Sequence, residues 1–436
     1  MKYLDCIKRV TNKVIRFLFK VVSSLLLIVL LAILITAVSP IYNFSDPAPF
    51  EGPDIFNPYR ALDSVRPAVT TDSVAVSWKR ALFHTHTKVE GPLPWNECKY
   101  TAGETFKALE KLGYDIVTFS NHNELTTHPF DPTLQVNVYE HGYSPFKFHK
   151  LVFGSQKVIH WDVLLPLLAS QKQFELDYLG ASSDFIQINH PYRTVGTCKS
   201  HMESLTGYEL MELDTGKSTE NEYWDWALSA GHYSFGLAND DLHKPDRSSK
   251  IGVRCNFLYT PSGRYDDLKA TLLGGCFYAM RVPDYGHGDW GAKYDKNHTL
   301  PSVLDIGLRS DTIFLRLSDV ADSIRVNGQD HRVLALAEHV DTLNYIFRKE
   351  DHYARITAFF PEGEVIYTNP FARYDASKSD SPLNNAPHPV NWLLTVLYNL
   401  LVAGLLCLVV RMFYLLLFKR CKCFRKSKSL SSSRRK

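Results

Sequence analysis

The chain has 436 residues, 45% hydrophobic and 22% charged, which is enough for one large or two medium globular domains and excludes a disordered or fibrous protein. Its net charge of +3 hides a segregation: residues 1–20 carry six Lys/Arg and one acid, residues 411–436 carry ten and none, and the rest holds 33 bases against 45 acids. An acidic middle excludes a nucleic-acid groove there, because neutralising phosphates takes a basic face.

In chain order, a basic segment (residues 1–20) leads into an uncharged run, VVSSLLLIVLLAILITAV, that defines a first span over residues 21–39. A second uncharged run, WLLTVLYNLLVAGLLCLVV, lies within residues 391–418 and is followed by a basic tail, residues 419–436. Each run is long enough to cross a hydrocarbon core of ~30 Å as a helix. The basic flanks predict that both termini are cytoplasmic and the acidic middle lies outside the cytoplasm, across the inner membrane if the cell is bacterial. A cleaved signal peptide ending at Ala37-Val38-Ser39 is the alternative for the first span; Pro40 and the long basic leader count against it. The second span could instead be a core helix, but it sits between a Pro-rich linker and a basic tail.

Residues 40–78 are rich in Pro, Asp and Asn and read as an extended stalk lying over the domain surface. From residue 79 to about 250, short apolar runs alternate with helical segments, which predicts an α/β fold with a largely parallel sheet or barrel. Thr101 and Glu104 make a capping box, Phe106, Leu109 and Leu112 an apolar stripe, and Gly113 a stop before the strand IVTFS. A second helix has Thr219 as cap, Glu222 at N3, Trp226, Ala227 and Ala230 inward, and Gly231 as terminator. Residues 251–375 alternate as in TIFLRLS and YARITAFF and predict a mainly-β antiparallel domain; residues 376–390 are a linker. Cys98, Cys198, Cys255 and Cys276 would lie where disulfides persist, and of the three pairings Cys98–Cys198 with Cys255–Cys276 is favoured.

Metal-type side chains recur after the apolar runs of the α/β region: ALFHTH, IVTFSNHN, VNVYEHG, FKFHKLVFG, DFIQINHPYR and YSFGLANDDLH. In a barrel of parallel strands such ends converge on one face. His84 and His86, two apart, share a side of a strand and can grip one ion. His122, His190, His243, Asp241 and Glu140 can supply the rest, and imidazole with carboxylate suits zinc, manganese or iron. Each alone has a blander reading: a core histidine, a turn at His190-Pro191, a capping Asp241, a solvated Glu140. Six in succession at equivalent places do not. His128, His141, His160 and His201 are left as surface or supporting residues.

The order His-x-His, Ser-x-His, strand-end Glu, His-Pro and Asp-x-His resembles the PHP (polymerase and histidinol phosphatase) family of metal-dependent phosphoesterases, over residues 79–250. The resemblance implies a distorted seven-stranded (β/α) barrel with two or three divalent ions, and the segment ending VIYTNPFARYD is similar to the appendage of a membrane-associated branch. By it, His84, His86 and Asp241 hold a first ion, Glu140 bridges to a second completed by His149 and His190, and His122 and His243 belong to a third. Two departures stand out. Pro92 occupies the place of an extra ligand, for which Glu90 or Glu97 can substitute, and Asn121 replaces the usual Asp in Ser120-Asn121-His122.

The expected function is a membrane-anchored metal-dependent hydrolase acting on a small phosphoester or envelope headgroup, with Glu140 as the bridging carboxylate and Arg193 as the clamp on the phosphoryl group. Hydrolysis of a carboxylic ester or carbamate is the enzymatic alternative, and a catalytically idle metal-binding envelope module the non-enzymatic one, favoured by the missing ligand near Pro92. Partners are the lipid bilayer and a small phosphorylated substrate, with no nucleic acid.

Overall fold

A computed structural model describes residues 2–63, 76–89, 97–214, 221–383 and 386–418. It divides into two compact units, one of residues 1–41, 163–165 and 390–436 and one of residues 42–162 and 166–389.

The first unit is built on two helices, Lys2–Thr36 and Trp392–Phe418. Both contain a 27-residue stretch apolar and long enough to cross a membrane, Val10–Thr36 and Trp392–Phe418. Side chains of the second helix meet backbone groups just past the end of the first: Asn399 Nδ2 donates to the Ser39 carbonyl at 3.0 Å, Tyr398 OH to the Ala37 carbonyl at 2.9 Å, and the Ile41 N–H to Thr395 Oγ1 at 2.9 Å. Apolar surface cannot satisfy backbone groups, so these side chains close the helix end.

The second unit begins with β1 (Asp54–Phe56) and β2 (Ser77–Leu82). Helix Ala102–Glu110 leads to β3 (Ile116–Val117), followed by β4 (Val138–His141) and β5 (Lys150–Phe153). After helix Ala169–Gly180 come β6 (Phe185–Ile188), β7 (Leu210–Asp214), helix Asn221–Ser229 and β8 (Phe235–Ala238). The remainder is mostly strand: β9 (Arg254–Thr260), β10 (Phe277–Arg281), β11 (Val303–Arg309), β12 (Thr312–Gly328), β13 (Val333–Ile346), β14 (Tyr353–Phe359), β15 (Val365–Thr368) and β16 (Phe371–Tyr374).

These strands form a mixed α/β unit with two sheets. One has five strands, β4-β5-β6-β7-β8; the other has eleven and runs β1-β16-β14-β15-β10-β9-β2-β3, with β11 to β13 joined to it through β12. Pairing is parallel for β2/β3, β6/β7 and β7/β8, but antiparallel for β4/β5 and β5/β6. The eight residues between β4 and β5 are too few for a parallel crossover, which needs a dozen or more. Two isolated parallel bridges, Thr85 with Leu242 and His122 with Glu140, link the sheets just beyond the ends of β2, β3 and β8. The mainly-β segment continues the sheet begun by β2, since β9 pairs with β2. The stalk contributes too: β1 pairs with β16, and Tyr59 is fully buried.

The helices follow their sequence signals. Thr101 and Glu104 form the capping box, with the Glu104 N–H donating to Thr101 Oγ1 at 3.2 Å and the Thr101 N–H to Glu104 Oε2 at 2.8 Å. Leu109 and Leu112 are buried, and Gly113 turns the chain at φ +81°. In helix Asn221–Ser229 the fully buried aromatic is Trp224, with Trp226 only partly covered; Thr219 lies outside the described residues.

The disulfide expectation is corrected: Cys98, Cys198, Cys255 and Cys276 are all free thiols. Cys255 lies opposite Met280 on the β9/β10 ladder, whereas Cys276 bonds through its carbonyl to Tyr259, four residues further along. At about 3.4 Å per residue the two Cα atoms are far beyond the ~7 Å limit for a disulfide. Cys98 and Cys198 sit in local hydrogen bonds of their own, to the Tyr100 carbonyl and Ser200 Oγ.

Asp225 on helix Asn221–Ser229 ties the two halves of the unit. Arg355 of β14 donates to it from Nε at 2.7 Å and from Nη2, both side chains are buried, and His331 Nδ1 lies 3.2 Å from the same carboxylate. Removing one partner strands a buried charge. D225N should therefore cost about 3–5 kcal/mol in chemical denaturation. The hydrogen bond to Asp225 raises the His331 pKa against the opposing pull of burial. Its contribution is full below the unfolded value of about 6.5 and is lost as pH rises through the folded value. Wild type should lose its advantage over H331Q in unfolding midpoint as pH rises above about 6.5; a constant gap would remove this pair from the account.

Candidate metal centre

β2 ends in Ala81 and Leu82, which with Phe83 after them are buried, and the chain continues extended so that His84 and His86 project to one side. The extension is pinned on both flanks. The His86 N–H donates to the Leu242 carbonyl at 2.9 Å, the Thr85 N–H to Ser120 Oγ at 3.0 Å, and the Ser120 N–H back to the Thr85 carbonyl at 2.9 Å. Asn121, where the resemblance expects Asp, is a clip: Oδ1 accepts from the Thr87 N–H at 2.7 Å and Nδ2 donates to Thr87 Oγ1 at 2.7 Å. An amide can donate and accept together, which a carboxylate cannot.

Glu140, on β4 and 1% exposed, is the centre of the cluster. Its Oε2 lies 3.1 Å from His84 Nε2, 3.1 Å from His86 Nε2 and 3.0 Å from His122 Nε2. Its Oε1 lies 3.1 Å from His149 Nδ1 and 3.2 Å from His190 Nε2, and accepts from Asn189 Nδ2 at 2.9 Å. Asp241 Oδ1 completes the His84/His86 side at 3.3 and 3.1 Å. Glu97 Oε2 faces His122 at 3.3 Å and His243 at 3.1 Å.

Among the described residues three sets of donors lie close enough to share an ion: His84, His86, Glu140 and Asp241; His122, Glu140 and His149; and His86, Glu97 and His122. His190 and His243 reach the same carboxylates from the flanks but fall outside these sets. The eight metal-type residues expected from the sequence thus lie close together, and Glu97, one of the two substitutes considered for a ligand at Pro92, faces His122 and His243. Glu90 and Pro92 lie outside the described residues. The donors fit a metal. Four ligands at tetrahedral zinc, with bonds of about 2.0–2.1 Å, stand about 3.3–3.4 Å apart, and the contacts that His84 and His86 make within the first set are 3.1–3.3 Å.

Electrostatics agree with that chemistry. Burial alone would raise the Glu140 carboxyl, but His122, His84 and His149 around it hold it well below the usual carboxylate range. Burial opposes charge on His84 and His86 as well, yet Glu140, Glu212 and Asp241 hold His84 well above its ordinary value, and hydrogen bonds to Asp241 and Glu140 bring His86 up to about 9. His122, facing other imidazoles as well as acids, is pushed by burial down to about 4. These carboxylates favour protons on His84 and His86 where an ion would otherwise sit, so loading metal displaces protons.

Glu212, in the middle of β7 and fully buried, was not expected at the site. Its Oε1 accepts from His84 Nδ1 at 3.0 Å and its Oε2 from the His190 N–H at 2.8 Å. Because a carboxylate only accepts, it fixes the His84 proton on Nδ1 and leaves Nε2 for the cluster. Its signal in the sequence is an acid inside an otherwise apolar run, LMEL. His190 and Asp241 sit at φ +26° and +48°, conformations a non-glycine residue holds only when its surroundings enforce them. Arg193 donates to Asp241 Oδ2 at 2.5 Å, so its expected role on a phosphoryl group is shared with an ion pair. His128, His141, His160 and His201 lie outside the cluster; His141 is fully buried, with Nε2 on the Trp161 carbonyl at 2.8 Å.

Beside the cluster opens a cleft of about 600 Å³, whose lining includes Arg193, Asp241 and His243. Asp241 stands between the two, one oxygen toward His84 and His86 and the other toward Arg193.

No family model and no curated protein matches the chain. One solved structure does: a two-domain protein from Bacteroides vulgatus, described as containing a predicted PHP-like metal-dependent phosphoesterase. The similarity covers 75% of this chain and all of that one, at 13% identity and a TM-score of 0.35.

Replacing Glu212 by Ala should weaken zinc or manganese binding about 10–100-fold in a chelator competition while leaving the saturating stoichiometry intact. Unchanged affinity would show that His84 is oriented without it.

Proposed function

We propose that this chain is a membrane-anchored, metal-dependent phosphoesterase whose second unit lies outside the cytoplasm. The observation that carries the reading is Glu140: one buried carboxylate whose two oxygens face two different groups of imidazoles, the arrangement needed to bridge two ions. On this reading His84, His86 and Asp241 hold one ion, and His149 and His190, with His122 alongside, hold the next. Glu97, His122 and His243 offer a third seat. Strands β2 to β8 act as a distorted seven-stranded barrel closed by the two isolated bridges, with the mainly-β segment as its extension.

Bound ions would supply an activated water and neutralise phosphoryl oxygens. The protein's own part is positional. Glu140 and Asp241 keep their charges because the imidazoles around them compensate burial. Glu212 and Asn189 hold His84 and Glu140 in place. Arg193, tethered by Asp241 at the cleft, presents a guanidinium to the anionic substrate. In the reaction water oxygen bonds to phosphorus, the ester P–O bond breaks, and the leaving oxygen takes a proton, giving alcohol and phosphate. Glu97, facing His122 and His243, supports this reading over the idle-module one, which rested on the ligand absent at Pro92.

The full chain in detergent micelles should bind at least two divalent ions, by elemental analysis, and hydrolyse simple phosphomonoesters or diesters. H84A should reduce turnover by at least about a hundredfold, as losses of a group acting in the transition state do. Metal without phosphoester turnover, but with cleavage of carboxylic esters, would replace this reading by the ester-hydrolase one.

A further inference from the structure

We infer that the cleft beside the metal centre takes a substrate carrying a second anionic group, seated on Lys147, Lys244 and Lys250. The inference rests on the phosphoesterase reading for the first group, the one that reacts, and concerns the far end of the molecule.

The argument starts from charge. Five of the residues lining the cleft are cationic, Lys147, Arg193, Lys244, Lys250 and Arg254, against the two acids Asp240 and Asp241. Both acids are already engaged. Asp241 faces Arg193 and the histidines, and Asp240 accepts from the Gly252 N–H at 2.7 Å and the Val253 N–H at 3.2 Å while burial pushes it up to about 6. Arg254 is likewise engaged, its Nε 2.7 Å from Asp214 Oδ1. Lys147, Lys244 and Lys250 are exposed and have no ion pair among the described residues. A unit with an acid excess thus carries a local surplus of cations next to its metal cluster.

Their placement is built, not incidental to a mobile loop. Lys147 sits at φ +60°, its N–H on the Ser144 carbonyl at 3.0 Å and its carbonyl accepting from Thr194 Oγ1 at 2.9 Å, while the Val195 N–H donates to the Phe146 carbonyl at 2.8 Å. That ties the Lys147 backbone to the turn that carries Arg193. Across the cleft, Lys244 and Lys250 are set by consecutive turns, with the Arg247 N–H on the Lys244 carbonyl and the Lys250 N–H on the Arg247 carbonyl. A volume of about 600 Å³ is several times what one phosphate needs, so a single phosphoryl group at the ions leaves this end empty. A phosphate or a carboxylate separated from the reacting phosphoryl group by a short linker fills both the space and the charge.

The test uses the metal-loaded full chain in detergent with two probes, propanediol monophosphate and propanediol bisphosphate, followed by phosphate release and by calorimetric binding. The bisphosphate should bind about five- to fiftyfold more tightly than the monophosphate, and the ratio should shrink toward one in K147Q/K244Q/K250Q and at high salt. Equal affinity of the two probes in wild type, or a ratio that the triple substitution does not move, overturns the inference. Binding that keeps the lysine-dependent ratio, with no phosphate released from either probe, supports the second anion site and overturns the phosphoesterase reading instead. A propanediol phosphate carrying a terminal carboxylate separates the sources: equal gain means any anion serves, and no gain means the site selects phosphate.

Discussion

A carboxylate in a protein interior must be compensated, and the second unit is organised around compensating one, Glu140. Five imidazole nitrogens and one amide N–H reach its two oxygens within 3.2 Å, from residues spread between positions 84 and 190. Leaving such a charge unpaired would cost several kcal/mol. The backbone of the same residue forms the isolated bridge to His122 that joins the five-stranded sheet to the end of β3. One residue therefore closes the main chain and concentrates the charge, and a change there would be felt as both a folding and a binding defect.

Around that centre lies a layer of side chains that settles which way each member of the cluster faces. Glu212 fixes the His84 tautomer and holds the His190 backbone; Asn121 clips the His84–Thr87 extension; Arg193 holds the outer oxygen of Asp241. The positive φ values of His190 and Asp241 belong to the same logic, because each costs backbone energy that the neighbouring hydrogen bonds must offset. A metal site of histidines and acids alone would leave the rings free to rotate.

The clustered residues were legible because they recur at strand ends, and a strand end is visible from one stretch of sequence: apolar run, then His, Glu or Asp. Glu97 was legible as one of two substitutes for a gap. What resisted reading were relations between distant stretches. Glu212 looks like one acid in a buried strand until β7 is placed beside the His84 extension, and the Arg193–Asp241 pair spans 48 residues. The Cys255–Cys276 pairing failed for the same reason: spacing says nothing of ladder register, and register puts the two apart. The antiparallel β4/β5 pair, by contrast, could have been read from its eight-residue connection. Alternation identified the mainly-β segment but not that β9 would join β2, since periodicity marks faces and not neighbours.

Net charge proved a coarse guide to the ligand. An excess of acids across the middle of the chain argues against a long polyanion, which must lie along a broad surface. It does not argue against a small anion, because a cleft between low-dielectric walls is governed by the few charges lining it. Here the lining acids are spent on Arg193, on histidines and on backbone N–H groups, while three lysines are not. An acid excess over the unit with cations gathered at this cleft would set the two signs to act together, the first discouraging anions elsewhere and the second favouring a doubly charged molecule here.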